Sequence, residues 1–418
     1  MRFNLLFYSD CPSFAGCERM LANLMNSEKL KENFSLSFAF RKNKIYQEGL
    51  INKLTEKTLQ DVKRYPLKIF NLDFLGKVKN KTLRVFLRIL SELCLLRYWC
   101  VLLNTLTLYF FFKKRQVSIL HVNNGGYPAA YSCYSAVFAA KLCGIKSIVY
   151  IINNIPASYK SPTRWLDYFL DQFVKKNVNI FISGSQFTRQ KISEILVIPP
   201  NKVHYIYNGI SIVKNELNKE SFLEKLGLNK QENQVVIGMI GVGEKRKGHA
   251  YLLKALKIVQ GNLVNTSAIQ PLVLIEGEGP FFADLAAQVE ALGLQSTVKF
   301  IGRIANIWGL INAIDILVLP SIMNEDLPNV ISEAMAYGKA VIATSIAGIP
   351  EQITSNESGI LIPPRDEFLL ADAIILFITT PGLCKVFGQN AYLTFKEKFS
   401  VEKAVDHYFE VYKKMLNS

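Results

Sequence analysis

The sequence predicts an α/β protein made of two Rossmann-like domains, each organised around a parallel sheet. Three observations lead there. Short apolar runs of strand length alternate with longer amphipathic stretches almost throughout, the pattern of βαβ units. The 418 residues suffice for two or three domains with cores of their own. The charge balance also changes sharply near Asn208: residues 1–207 carry 30 Lys+Arg against 12 Asp+Glu, whereas residues 208–418 carry 19 against 22.

Taken in order, the expected strands of the first half are Phe3–Tyr8, Phe34–Phe40, Leu67–Phe70, Ser118–Val122, Ser147–Ile152, Asn179–Ile182 and Val203–Tyr207. Those of the second are Val235–Ile240, Leu272–Ile275, Val298–Ile301, Ile316–Leu319, Ala340–Ala343 and Gly359–Ile362. No internal repeat of 20–50 residues occurs. The polar stretch after Tyr207-Asn208-Gly209 is the natural border, which sets domains at 1–207 and 208–395. A closing helix in 396–418 follows from the helical spacing of Val401, Ala404, Tyr408, Val411, Tyr412 and Leu416. Ligands of such folds bind outside the carboxyl ends of the strands, so a cleft between the two domains is the expected site.

One segment breaks the pattern. Residues 41–115 hold 17 Lys+Arg against 5 Asp+Glu and include a long apolar helix candidate, Arg84–Phe112, ending against Lys113-Lys114-Arg115. Arg97, Asn104 and Glu92 interrupt it, so no clean membrane span is present. It reads either as a buried helix of the first domain or as a surface that dips into an anionic membrane. The seven scattered cysteines form no CxxC pair and suit reduced thiols. Met1–Tyr8 reads as a first strand and not a signal peptide, so a cytoplasmic location is expected. No recognition motif accompanies the positive charge, which ranks nucleic acid low among partners.

The most specific run is Pro320–Gly338, PSIMNEDLPNVISEAMAYG. A strand leads into a loop with Glu325 and Asp326, a helix begins near Pro328, and Gly338 stops it. Exposed backbone N–H groups in the stretch Leu327-Pro328-Asn329-Val330, supplied by every residue but the proline, would bind an anion with the helix dipole in support. Glu333, about one and a half turns in, can accept hydrogen bonds from vicinal hydroxyls. A phosphate seat flanked by two carboxylates suits a nucleotide joined to a sugar.

This run closely resembles the E-x7-E signature of retaining GT-B glycosyltransferases of family 4. Val341–Thr344, Gly348–Glu351, Asn356–Gly359, Arg246-Lys247-Gly248-His249, Glu276–Pro280, Asn208-Gly209-Ile210 and Ala15–Arg19 continue the likeness. The resemblance implies a transferase for a UDP- or GDP-sugar, with Glu333 on the ribose hydroxyls and Glu325 on the transferred sugar. It implies Lys247 on the diphosphate, where negative charge grows as the glycosidic bond breaks, with Arg246 or Lys245 to compensate for an arginine that the family commonly has shortly before the lysine. Gly16 and Gly279 would let backbone approach the donor, and the chain at Arg303–Ile304 would edge the base. The implied acceptor is a saccharide, lipid-linked in surface polysaccharide synthesis at the inner face of the cytoplasmic membrane.

Three positions depart from the family pattern. Val242 stands where an arginine is usual, and Asp326 replaces a glycine. Asn153 or Asn154 occupies the place of a first-domain histidine near the acceptor, with His121 as another candidate for the catalytic role. No Asp-x-Asp motif or metal-ligand spacing occurs, so transfer without a metal is expected, with Lys247 and helix N–H groups in the cation's place. Two rival readings remain: a nucleotide-sugar epimerase of the same architecture, and a non-catalytic, membrane-associated transferase-like subunit.

Overall fold

The computed structural model describes residues 2–12, 14, 16–160, 162–213, 217–264, 269–323 and 325–417. Ala15 of the first loop and Asn324 of the Pro320–Gly338 run therefore lie outside the described residues. The chain divides into two compact units, one of Met1–Gly209 with Ala404–Ser418 and one of Ile210–Lys403. The expected border at 395/396 falls inside a helix, Leu383–Lys398, and the chain changes units at 403/404 instead.

The first unit holds a seven-stranded parallel sheet: β1 (Phe3–Ser9), β2 (Phe34–Arg41), β3 (Lys63–Leu67), β4 (Ile119–Asn124), β5 (Ser147–Ile152), β6 (Ile180–Ser183) and β7 (Val203–Tyr205), in the order β3-β2-β1-β4-β5-β6-β7. Every residue of β4 and the last five of β1 are buried. Continuous burial is what a parallel sheet covered on both faces requires, and it explains why these strands read as apolar runs without alternation. The strand order reverses between β1 and β4, so their carboxyl ends flank a topological switch point.

Two expectations in this unit are corrected. The third strand is Lys63–Leu67 (KRYPL), not Leu67–Phe70. Among the described residues it pairs only with β2, from Ser37–Lys63 to Arg41–Leu67, and such an edge strand tolerates Lys, Arg and Pro66. The single helix expected over Arg84–Phe112 is two, Lys81–Leu93 and Leu96–Lys113, broken where Leu95 adopts a left-handed φ of 52°. The second buries Val101, Leu108, Phe111 and Phe112 on one face. Its polar interruption at Asn104 is satisfied, giving and taking 2.8 Å hydrogen bonds with the backbone of Phe70. Among the described residues no single helix is long and apolar enough to cross a membrane.

The helix Val401–Asn417 packs Tyr408 and Tyr412 into the first unit, where Tyr412 meets Phe34 edge-on at 5.9 Å. The second unit holds a six-stranded parallel sheet: β8 (Val236–Ile240), β9 (Leu272–Glu276), β10 (Val298–Gly302), β11 (Ile316–Leu319), β12 (Ala340–Thr344) and β13 (Ile360–Ile362), in the order β10-β9-β8-β11-β12-β13. Its order reverses between β8 and β11, so the loops leaving these two strands face a second switch point.

Candidate functional site

The loops after β8 and β11 are stitched together by backbone. The Ile322 N–H donates to the Arg246 carbonyl at 2.8 Å. Gly248 ends the Lys245–Lys247 turn with φ 77°, and a Cβ there would sit 1.8 Å from the Pro320 carbonyl oxygen. Only glycine lets the two loops approach this closely. The contact brings together charged groups that lie 78 residues apart: Lys247 Nζ donates to Glu325 Oε1 at 2.6 Å. The same oxygen accepts from Ser321 Oγ at 2.9 Å and from Arg246 at 3.3 Å, and Arg246 also pairs with Glu244 at 2.5 Å. Glu325 is only 8% exposed, so this pairing is what makes its burial tolerable.

Beyond Glu325 the chain passes Asp326, whose carbonyl accepts from the Gly348 N–H at 3.0 Å, and Leu327, which is buried. Pro328 is the N-cap of the helix Asn329–Ala336, and Gly338 follows its end with φ 62°. Proline's missing N–H is no loss at a helix start, and Asn329 and Val330 follow it in the first turn, where helix amides lack an acceptor within the helix. Gln352 steadies it, donating to the Pro328 carbonyl at 3.2 Å and to Ser332 Oγ at 2.7 Å. Glu333, 5% exposed, lies within that helix.

On the other side of β8, Glu276 ends β9 and accepts from the Ile304 N–H at 3.3 Å. Burial raises its carboxyl above the ordinary range, with the Ile304 N–H opposing. Thus the backbone expected to edge a base is held by a carboxylate that was outside the expected set. The glycine-rich turn after it is equally tight, with Gly279 at φ 155° against the Gly243 backbone. Val242, in the loop that leaves β8, is 48% exposed. Behind Lys247, His249 is fully buried, and burial together with the Lys247 charge pushes its imidazole down to about 4.

In the first unit Gly16 opens the helix Gly16–Asn26 directly after the β1 loop. Two residues on, fully buried Glu18 accepts from Ser9 Oγ and Asn123 Nδ2, each at 2.8 Å, and from the Tyr46 hydroxyl. Asn153, just past β5, donates to the Asn124 carbonyl at 3.0 Å, which fixes it at the carboxyl end of the sheet. His121 does not reach that end. It is 1% exposed, its Nδ1 lies 2.7 Å from the Tyr412 hydroxyl, and burial pushes its pKa down to about 3. The side chain points to the face covered by the closing helix, so the catalytic reading of His121 is corrected to a structural one.

A cavity of about 560 Å³ opens at this end of the sheet, lined by Asp10, Arg41, Asp73, Arg97, Tyr131 and Ser132 among others. Asp10 accepts from Ser132 Oγ at 2.5 Å and pairs with Arg41 at 3.5 Å, yet burial still raises its carboxyl to about 6. Sequence reasoning missed these residues, although Asp10 follows directly on β1 at the switch point, which was the signal available. Among the described residues no group of three or more His, Cys, Asp or Glu side chains is arranged to hold a metal ion.

The isolation of His121 has a measurable consequence. Its folded pKa of about 3 lies below the ordinary 6.5, so as pH falls between these values the unfolded chain takes up a proton that the folded chain refuses. Stability present above pH 6.5 is therefore lost on acidification, at up to about 1.4 kcal/mol per pH unit. Urea midpoints from pH 7 to 4 are expected to fall less steeply in His121→Gln than in the parent chain; equal slopes would refute this.

Residues 219–394, most of the second unit, match the family model described as glycosyl transferases group 1. The chain is 27% identical over 218 residues to the N-acetyl-alpha-D-glucosaminyl L-malate synthase of Bacillus anthracis, covering 52% of this chain and 55% of that one. It is 30% identical over 178 residues to the lipopolysaccharide core biosynthesis glycosyltransferase LpsD of Rhizobium meliloti, covering 43% and 49%. The alignments span only 55–64% of the length of three such curated relatives. Among solved structures, the Anabaena protein HepE in complex with UDP superposes with a TM-score of 0.74 at 18% identity, over 99% of this chain and 100% of that one. A glycosyltransferase from Rickettsia africae superposes with a TM-score of 0.75 at 21% identity, over 99% of each. The chain thus has the GT-B fold, two parallel-sheet Rossmann-like domains.

Proposed function

We propose that this chain is a retaining glycosyltransferase of family 4 that moves a hexose from a UDP- or GDP-sugar to a saccharide acceptor, lipid-linked, in the assembly of surface polysaccharide or lipopolysaccharide. The observation that carries the reading is the convergence of Lys247, Arg246 and Glu325 beside the helix that bears Glu333. The group 1 family match over 219–394 and the polysaccharide-building relatives support it. UDP and UDP-glucose complexes of the similar Anabaena protein agree with a uridine nucleotide donor.

In this reading Glu333 accepts the ribose hydroxyls and the first-turn amides of its helix hold phosphate oxygens. Lys247 and Arg246 offset the charge that grows on the leaving diphosphate, the work a bound metal does elsewhere. Glu325, already held by those two cations, orients hydroxyls of the sugar. The acceptor oxygen attacks the anomeric carbon on the face the phosphate leaves, the carbon–phosphate-oxygen bond breaks, and the departing phosphate takes the acceptor's proton. Configuration is thereby retained without a protein nucleophile. Glu333→Ala is expected to raise KM for the donor by about tenfold or more, the loss of hydrogen bonds to a charged group. A donor-turnover assay with membranes as acceptor checks this; a variant equal to the parent chain would refute the site. Absence of turnover with any common UDP- or GDP-sugar would refute the enzyme.

A further inference from the structure

We propose that the outer face of the two consecutive helices Lys81–Leu93 and Leu96–Lys113 docks on an anionic lipid bilayer, lying in its surface without crossing it. The first helix is amphipathic with its faces reversed relative to a core helix. Its one buried residue is the polar Ser91. At 100° per residue Arg84 shares that side, whereas Phe86, Ile89 and Leu93 occupy the opposite one. Those three side chains are 60%, 55% and 76% exposed. In the second helix the core face is Val101, Leu108, Phe111 and Phe112, and a second apolar stripe faces outward. It comprises Trp99, Leu106 and Phe110, 60%, 47% and 60% exposed, at the i, i+7, i+11 spacing of one helix face. Large apolar side chains left exposed in a row along a helix mark a surface that meets a partner or a membrane.

Charge selects the occupant. Residues 68–115 contain ten Lys+Arg and only Asp73 and Glu92 as acids. Lys77, Lys79 and Lys81 lead into the first helix, and Lys113, Lys114 and Arg115 close the second. A second copy of this surface would set like charge against like, whereas anionic headgroups complement it. Neither helix is long and apolar enough to span, so the chain lies on the bilayer. The inner sides of the same helices supply Glu92, Arg97 and Cys100 to the 560 Å³ cavity. A bilayer on the outer side is then about one helix diameter, roughly 10 Å, from that cavity, within reach of a saccharide on a lipid. The docking itself stands on the exposed faces and holds whichever reaction the second unit performs.

The test is sedimentation of the full chain with phosphatidylcholine vesicles, with and without phosphatidylglycerol. Binding is expected only to the anionic vesicles and is expected to weaken with added salt. Phe86→Asp with Leu93→Asp should lower partition at least about tenfold, and Lys77→Glu, Lys79→Glu and Lys81→Glu together by a similar factor. UDP binding and the thermal transition should be unchanged in both variants, which separates loss of docking from loss of fold or of the donor site. Absence of binding to anionic vesicles would overturn the proposal. So would binding indifferent to both variants, or a lipid-free dimer that Phe86→Asp dissolves.

Discussion

Lys247→Ala is expected to lower turnover of the sugar donor by about two to three orders of magnitude, the usual loss when one preorganised group that stabilises developing charge is removed. Its ammonium lies 2.6 Å from Glu325, which is 8% exposed, so the variant also strips a nearly buried carboxylate of its best partner. Arg246 and Ser321 still reach the same oxygen, and the loop is expected to keep its shape. The two roles of Lys247, holding Glu325 and meeting the diphosphate, separate in the double variant Lys247→Ala, Glu325→Gln. If the lysine serves only to neutralise its neighbour, the double variant turns over as fast as Glu325→Gln alone. If it meets the leaving phosphate, the double variant is slower than Glu325→Gln by about the same two to three orders of magnitude. Single-turnover rates with saturating donor distinguish the two, and a double variant within a few-fold of Glu325→Gln would refute the phosphate role.

How much of this was legible beforehand depended on whether the determinant was local. The strands of the second unit were readable because a parallel sheet buried on both faces makes them unbroken apolar runs, as in Ile316–Leu319. The order Glu325, Pro328, Glu333 was readable because one loop and one helix carry all three. What was not readable came from long-range pairing. Nothing near Lys247 in the sequence announces that Glu325, 78 residues on, takes its ammonium. His121 ends a run that looked like a route to a cleft, yet Tyr412, 291 residues away, claims its ring. The same limit applies to Arg84–Phe112. Its composition left a buried helix and a lipid-facing one equally open, because composition does not say which face turns inward. Ser91 buried and Phe86 exposed is a fact of packing alone.

Gly248→Ala is expected to cost the second unit more than about 2–3 kcal/mol and to abolish donor turnover with it. Two penalties act together. At φ 77° any side chain is strained, and the added Cβ would lie 1.8 Å from the Pro320 carbonyl oxygen. That oxygen belongs to backbone leaving β11, so it cannot swing aside as a flexible side chain would. The β8 loop must therefore withdraw, taking with it the Ile322 to Arg246 hydrogen bond and the Lys247 ammonium. Gly261→Ala, in the helix His249–Leu263, is the opposite case: no atom lies within 4 Å of the new methyl, and the backbone is helical. There alanine should stabilise by about 0.5–1 kcal/mol, because glycine loses more freedom on entering a helix. Urea midpoints moving in opposite directions for two glycine-to-alanine changes thirteen residues apart would tie stability and turnover to the approach of the two loops. A Gly248→Ala midpoint equal to the parent's would mean that the loops can part without consequence, and the geometry proposed for Lys247 and Glu325 would fall with it.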